Sequence, residues 1–106
     1  MQTKTLTGID ADITLSEANL GWDLAGYTAH SVVVYGLAGE TWSASIRFDG
    51  CAVYLFTEDS ELEGTMTVYV GAERTPIDRI KIEFSAPPTA ASIFVRSISR
   101  TSEISV

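Results

Sequence analysis

Apolar and polar residues alternate along most of this chain, in short segments that are separated by turn residues. In the clearest segment, residues 41–48, four apolar side chains share one face: Trp42, Ala44, Ile46 and Phe48. A period of two is typical of a β-strand with one buried face. Because the same pattern recurs in segment after segment, the sequence predicts an all-β fold.

A hairpin is predicted directly after this strand. Asp49 and Gly50 tolerate the positive φ of a tight two-residue turn, and the apolar segment 51–56 follows them. We therefore expect residues 41–48 and 51–56 to pair as a β-hairpin. Cys51 would then be a small buried thiol at the start of the second strand.

The remaining strands are predicted at residues 11–15, 31–35, 65–70, 79–85 and 93–98. Residues 31–35 are apolar on both parities, which indicates a strand buried on both faces or central in its sheet. Pro87 and Pro88 separate the last two strands, because proline donates no backbone hydrogen bond. The best place for a helical turn is residues 16–20, with Ser16 as its cap. We expect an antiparallel β-sandwich or jelly roll of about seven to eight short strands, since the chain offers no crossover helices for a parallel sheet.

One domain, residues 1–106, accommodates a chain of this length. Segments 1–9 and 101–106 lack core-like alternation, so we expect them to be extended terminal segments. Apolar residues in such segments often dock on a neighbouring molecule, and the candidates are Leu6, Ile9, Ile104 and Val106. The chain has neither the apolar region of a secretory signal nor a membrane-spanning run, so we expect a soluble protein made in a cytoplasm.

The net charge of −7 narrows the classes of partner that this chain is expected to bind. A field of this sign repels phosphate backbones and anionic lipid headgroups, so we expect neither nucleic acid nor a membrane as a partner. The charge is uneven: residues 1–73 contain two basic and eleven acidic side chains, and residues 74–106 contain five and three. Either the basic strands lie beside acidic ones in the same fold, or opposite patches meet between copies in an assembly.

The side chains available for catalysis are few. His30 is the only histidine and Cys51 the only cysteine, which excludes an intramolecular disulfide and a histidine-rich metal site. A Cys51–His30 nucleophile pair is conceivable, but a buried thiol and a surface or capping histidine are the simpler interpretations. No hydrolase, metalloprotease or phosphate-binding motif occurs. We therefore expect no enzymatic activity and no cofactor.

An acidic cluster is the one constellation that could hold a cation, and it comprises Glu58, Asp59, Glu61 and Glu63. Hard cations such as Ca²⁺ take carboxylate oxygens from segments of this composition. The spacing does not match an EF-hand loop, however. We predict a solvated loop between two strands and keep calcium as the alternative.

Four aromatic residues are interpreted by their position relative to the alternating pattern. Trp42 is in phase with the buried side of its strand, so we expect it in the core. Tyr69 is opposite in phase to its valine neighbours and is a candidate for an exposed ring, as are Trp22 and Tyr27 in a glycine-flanked segment. Exposed rings could stack on a sugar, and the alternative is that these rings cover sheet faces and strand ends.

Three blocks combine short strands, turns and serine- or threonine-rich polar faces: residues 32–39 (VVVYGLAG), 42–47 (WSASIR) and 80–84 (IKIEF). In this general character the chain resembles the small all-β structural proteins of bacteriophage particles, namely capsid-decoration proteins, head-fibre or spike bases and tail components. The resemblance implies binding to a capsid or tail protein and a homo-oligomer, with a trimer favoured. It implies no site residues.

We therefore expect a virion structural protein that acts through its termini and exposed strand faces, with Tyr69 among the contacts. A carbohydrate-binding module that uses exposed aromatic residues is the alternative. A small β-barrel enzyme that uses carboxylates is a third possibility, which the scarcity of acid–base groups disfavours.

Overall fold

The computed structural model describes residues 1–48, 51–61, 66–70 and 76–98, and within these ranges residues 55–61 and 66–70 by their backbone alone. The described strands are β1 (Gln2–Ile9), β2 (Ile13–Leu15), β3 (Ala29–Tyr35), β4 (Trp42–Phe48), β5 (Tyr54–Glu61), β6 (Met66–Val70), β7 (Ile77–Phe84) and β8 (Ala91–Ile98). A short helix, α1 (Glu17–Leu20), and a 3₁₀ helix, Leu24–Gly26, lie between β2 and β3.

These strands form two four-stranded antiparallel sheets. Sheet 1 has the order β1-β8-β3-β6 and sheet 2 the order β2-β7-β4-β5. Each sheet thus draws its strands from distant parts of the chain, as in a jelly roll. The predicted all-β antiparallel fold is confirmed. Where seven to eight strands were expected, six are described with all their side chains, and β5 after Tyr54 and all of β6 are described by backbone alone.

The core lies between the two sheets and is formed by alternating side chains. Sheet 1 contributes Val32 and Val34 of β3, and sheet 2 contributes Trp42, which is completely buried as predicted. Strand β3 is central in its sheet, between β8 and β6. The β3 side chains that alternate with these core residues are less buried: Val33 is half-buried and Tyr35 is exposed.

The first strand, β1, was not predicted. Residues 1–9 were expected to be an extended terminal segment, but Gln2–Ile9 pairs antiparallel with β8, from Gln2 opposite Ser97 to Leu6 opposite Ile93. The pairing is irregular between Leu6 and Ile9, where Gly8 adopts a φ of 66°. This bulge interrupts the period of two, which is why the apolar residues of β1 showed no alternation.

The predicted hairpin exists, but its connection is longer than expected. Strands β4 and β5 are antiparallel neighbours, with Arg47 opposite Tyr54. Asp49 and Gly50, the predicted turn residues, lie outside the described residues. Cys51 donates its N–H to the carbonyl of Phe48 at 2.9 Å. Because Cys51 lies in this connection and not in a strand, it is exposed, and the prediction of a buried thiol is wrong.

The predicted helical turn is present as α1. Ser16 is its N-cap, and the Ser16 N–H donates to Oδ1 of Asn19 at 2.9 Å. The Asn19 amide also donates to the carbonyl of Thr14 at 2.9 Å, which ties the helix to β2. Leu20 is buried in the core cluster. Within the described ranges, no helix is long and apolar enough to span a membrane.

Candidate functional site

The outer face of sheet 1 combines apolar, aromatic and polar side chains. We use this name for the outward side chains of β3 and β8: Ser31, Val33, Tyr35, Ser92, Phe94 and Arg96. They face outward because the alternate residues Val32, Val34, Ile93 and Val95 lie in the core. Val33 is opposite Phe94 and both are half-buried, whereas Tyr35 is 42% exposed. The centre of this face therefore consists of two apolar side chains and an exposed ring.

The rim of the outer face is polar and almost uncharged. Thr3 and Thr5 of β1 are exposed and lie opposite Arg96 and Phe94. Arg96 is the only charged residue at the outward positions of β1, β3 and β8. The two short helices contact the other sheet, α1 at β2 and the 3₁₀ helix at β7. Apolar and aromatic residues with an arginine and few acidic groups are typical of protein contact surfaces.

His30 lies on the inner side of sheet 1, so the prediction of a surface or capping residue is wrong. Strand β3 begins two residues earlier than predicted, at Ala29, which places His30 inside the strand and in phase with Val32. His30 is 2% exposed, and its Nδ1 lies 2.9 Å from Oγ of Ser97. Burial lowers the pKa of His30 from 6.5 to about 4, an effect that the backbone of Tyr27 partly offsets.

Serine and histidine are the residue types of a nucleophile and its base, but the His30–Ser97 pair lacks the substrate access and the orienting group that catalysis needs. Ser97 is completely buried, so its hydroxyl is closed to a substrate. Nε2 of His30 is buried without a hydrogen-bond partner, so no carboxylate orients the ring. Cys51 is exposed after β4 in the other sheet, and the hydrogen-bond partner of His30 is Ser97. We interpret the pair as part of the polar interior.

An ionic cluster fixes an irregularity in sheet 2. Arg47 lies opposite Arg79 and Phe48 opposite Ile77, which leaves Asp78 as the extra residue of a bulge. Arg47 donates from Nε and Nη2 to the two carboxylate oxygens of Asp78, at 3.0 and 2.6 Å. These hydrogen bonds lower the pKa of Asp78, against the opposing effect of its burial. The cluster therefore holds the two strands together at the bulge.

Most of the acidic cluster lies on a strand and not in the predicted loop. Glu58, Asp59 and Glu61 belong to β5, and Glu63 is outside the described residues. Pairing with β4 overrides the low strand preference of acidic residues, which edge strands such as β5 tolerate. The described side chains contain no group of three His, Cys, Asp or Glu residues that could hold a metal ion. The calcium alternative stays a prediction.

Sheet 2 also contains both signs of the uneven charge. Strand β4 separates β7, which carries Arg79 and Lys81, from the acidic strand β5. Arg79 also lies 3.5 Å from the Asp78 carboxylate, and Lys81 lies 3.9 Å from that of Glu83. The basic strand β7 and the acidic strand β5 thus occur in one sheet but are not neighbours, so both interpretations of the uneven charge stay predictions.

The aromatic residues predicted to be exposed are placed differently. Trp22 is buried at 8% exposure, because the segment between α1 and the 3₁₀ helix packs into the core with Leu20 and Leu24. Tyr27 is half-buried against the same core. Tyr69 lies opposite His30 in the backbone register, and its side chain is outside the described residues. In the described part of the chain, the exposed ring on the outer face of sheet 1 belongs to Tyr35, which the sequence analysis did not single out.

The terminal interface candidates have mixed outcomes. Leu6 and Ile9 are half-buried and pack against the core of their own chain, which leaves only part of each side chain for a neighbour. Ile104 and Val106 lie outside the described residues.

No protein-family model and no curated protein matches this chain. Solved structures do match it in fold. An IMPa metallopeptidase in complex with T-antigen aligns with a TM-score of 0.55 and 10% identity over 90% of this chain. IMPa from Pseudomonas aeruginosa aligns with a TM-score of 0.52 and 12% identity over 92% of this chain. In both comparisons this chain spans 12% of the length of the metallopeptidase.

AlgX from Pseudomonas aeruginosa aligns with a TM-score of 0.49 and 9% identity over 93% of this chain and 26% of its own. The likeness to the IMPa structures, at 10% and 12% identity, shows a shared fold and nothing about activity. The solved structures named here are not phage particle proteins.

Proposed function

We propose that this chain is a non-enzymatic structural protein of a larger assembly and that it binds its partner through the outer face of sheet 1. The assembly that we propose is a phage particle, in which the chain would be a capsid-decoration or tail component. The observation that carries the proposal is the pair of half-buried apolar side chains on this face, Val33 and Phe94, beside the exposed ring of Tyr35.

The chemistry of the outer face favours a protein partner. Phe, Tyr and Arg are enriched in protein interfaces, and Asp and Glu are depleted from them. The outer face has Phe94, Tyr35 and Arg96 and no acidic residue, although the whole chain carries a net charge of −7; its two serines do not follow this composition. A partner with an apolar surface would bury Val33 and Phe94 more completely, and Arg96 at the rim could pair with an acidic group.

The interior gives the second line of support. The one serine–histidine contact is sealed between the sheets, with Ser97 completely buried and Nε2 of His30 unpartnered. The fold itself is compatible with assembly, because jelly rolls are common in viral capsids, but the same fold also serves in lectins. The surface residues therefore carry the argument and the fold does not.

Particle incorporation tests this proposal. Virus particles would be purified on a density gradient from an induced culture of the source strain, and the chain quantified by mass spectrometry against the major capsid protein. We expect a fixed ratio between the two. Tyr35→Asp should lower incorporation at least about tenfold, because it places a charge on the contact surface.

The matched control is Val53→Asp, which makes the same type of change at a residue that is 59% exposed in the connection between β4 and β5. It should leave incorporation unchanged, and thermal melting should show that both variants fold. Absence of the chain from purified particles would overturn the proposed function. Equal incorporation of both variants would overturn the outer face as the contact surface.

A carbohydrate-binding role is the second candidate, because Tyr35 offers an exposed ring on which a sugar could stack. A glycan array with the wild-type protein and Tyr35→Ala tests it. Binding that is lost in the variant would support this role, and an array without hits would remove it.

A further inference from the structure

Three basic side chains lie together on the outer side of sheet 2. Arg47 of β4 is opposite Arg79 of β7, and Lys81 follows Arg79 two positions later on the same side. They point outward because the alternate residues of the two strands, such as Ile46 and Ile80, are in the core. We call Arg47, Arg79 and Lys81 the basic patch. It contains three of the five basic residues that the structure describes, in a chain with a net charge of −7.

The bulge in β7 holds the two arginines in place. Like charges directly opposite each other across a strand pair are destabilising. Asp78, the extra residue of the bulge, accepts two hydrogen bonds from Arg47, and its carboxylate lies 3.5 Å from Nη1 of Arg79. Nη1 of Arg79 also donates to the carbonyl of Asp78 at 2.8 Å. The Asp78 side chain is 11% exposed, whereas that of Arg79 is 35% exposed. The cations therefore lie outside the anion that orients them.

Lys81 is positioned by an aromatic ring on the same side of the sheet. Its Nζ lies 5.4 Å from the centre of the Tyr54 ring, which is a cation–π distance. Because Tyr54 is on β5 and Lys81 on β7, this contact crosses β4, whose outward residue Ser45 is buried. Glu83 lies 3.9 Å from the same Nζ, but both side chains are exposed, and such a pair contributes little. The ammonium group is therefore positioned and still accessible to a partner.

The acidic residues of β5 are at a distance from the two arginines. Glu58, the first of them in the chain, is opposite Ala44, whereas Tyr54 is opposite Arg47. Ala44 and Arg47 are about 10 Å apart along β4. Exposed charges farther apart than about 8 Å are largely screened at physiological ionic strength. The negative net charge of the whole chain therefore does not prevent an anionic group from binding at the basic patch.

We propose that the basic patch binds an extended, carboxylate-bearing segment of a protein partner. Charge complementarity selects this class of partner, and cations that are already positioned lose less side-chain freedom on binding. Alternate side chains of an extended segment lie on one side, about 7 Å apart. Arg79 and Lys81 are themselves alternate residues of a strand, so their Cα atoms have the same spacing. A segment in which every second residue is Asp or Glu therefore complements the patch.

This surface is on the opposite side of the sandwich from the outer face of sheet 1. A chain that uses both surfaces would contact two neighbouring molecules, one on each side. The inference goes beyond the proposed function and does not rest on it, because binding at the basic patch is measured on the isolated chain.

Titration with a synthetic peptide tests the proposal. The probe is an acetylated peptide of alternating Glu and Thr residues, and its binding would be followed through the backbone amide signals in nuclear magnetic resonance. We expect saturable shifts confined to β4, β7 and the residues beside them, and an affinity that falls as salt is added. The same peptide with Gln in place of every Glu should not bind. Shifts spread over both sheets would contradict a defined site.

Variants that each remove one charge locate the site. Arg79→Gln and Lys81→Gln should each weaken peptide binding about threefold, the loss expected for one exposed ion pair, and the double variant about tenfold. Lys4→Gln is the matched control, because it removes the same charge from an exposed residue of sheet 1. It should bind the peptide as the wild type does. Thermal melting should show that all variants fold.

The remaining outcomes identify other occupants. Equal weakening by Lys4→Gln would overturn the site, because the peptide would then respond to net charge alone. Saturable binding of inorganic phosphate at these residues, without binding of the peptide, would overturn the protein segment in favour of a small oxyanion. Self-association that Arg79→Gln abolishes would overturn a separate partner, since a second copy would then occupy the patch. Particle incorporation decides the proposed function independently of these results.

Discussion

Burial of His30 makes the stability of this protein depend on pH in a predictable range. In the folded chain the pKa of His30 is about 4, against 6.5 for an exposed histidine. Between these values the unfolded chain binds the proton more strongly, so the free energy of unfolding falls as the pH falls from about 6.5 to about 4. At about 1.4 kcal/mol per pH unit, the difference between 6.5 and about 4 corresponds to a loss of about 3 kcal/mol.

The informative variant is His30→Asn. An asparagine amide reaches about the position of Nδ1, where it can keep the contact with Ser97, and it lacks the unpartnered Nε2. Urea unfolding of both proteins would be measured at several pH values between 8 and 4. We expect the stability of the wild type to decline more steeply, by about 3 kcal/mol relative to the variant over this range. The subtraction removes the contributions of Asp and Glu, which both proteins share.

Parallel stability curves for the wild type and His30→Asn would refute the reasoning. Nuclear magnetic resonance of the imidazole provides a check that does not depend on unfolding, because it reports the pKa of His30 directly. A value near 6.5 in the folded protein would show that the ring is hydrated. Should the asparagine variant fail to fold, this titration of the wild type decides the prediction alone.

Three further substitutions test the bulge in sheet 2 and the turn after β3. Asp78→Asn should lower the free energy of unfolding by about 2 kcal/mol at pH 7, because it weakens the two hydrogen bonds from Arg47. Because the pKa of Asp78 is lowered in the folded protein, this difference should be fully present at neutral pH and should shrink as the pH falls below the ordinary value of 3.8, which urea unfolding over a pH series would detect. Gly36→Ala should cost about 2 to 3 kcal/mol in the same assay, since Gly36 has a φ of 82° and a Cβ would lie 3.2 Å from the carbonyl oxygen of Ala90. Gly39→Ala, at a φ of 109° with no atom near the Cβ position, should cost about 1 to 2 kcal/mol, and equal losses would contradict the contact at Gly36.

Local patterns predicted the parts of the fold that local interactions determine. The alternation around Trp42 identified β4 and its buried face, because each side chain of a strand reports directly on one side of the sheet. Ser16 identified the start of α1, because a helix cap is formed within a few residues of sequence. In both cases the residues that decide the structure are close together in the chain.

The failed predictions depend on distant partners. β1 exists because β8 pairs with it across more than eighty positions of sequence, and nothing within residues 1–9 indicates that partner. His30 is buried because Ser97 lies opposite it in the register of β3 and β8. Register between strands, which the sequence pattern does not define, determined each of these features.

The burial of strand β3, which carries part of the outer face, could also not be decided from the sequence pattern alone. The valine run of β3 is apolar on both parities, a pattern shared by a strand buried on both sides and by a strand with one exposed apolar side. Only the second possibility leaves a contact surface, and Tyr35 distinguishes the two because its ring is exposed at the end of the run. A strand covered on both faces would need a layer outside sheet 1, yet α1 and the 3₁₀ helix contact sheet 2. We therefore place the proposed contact with a partner molecule on the outer side of β3, where the ring of Tyr35 is exposed.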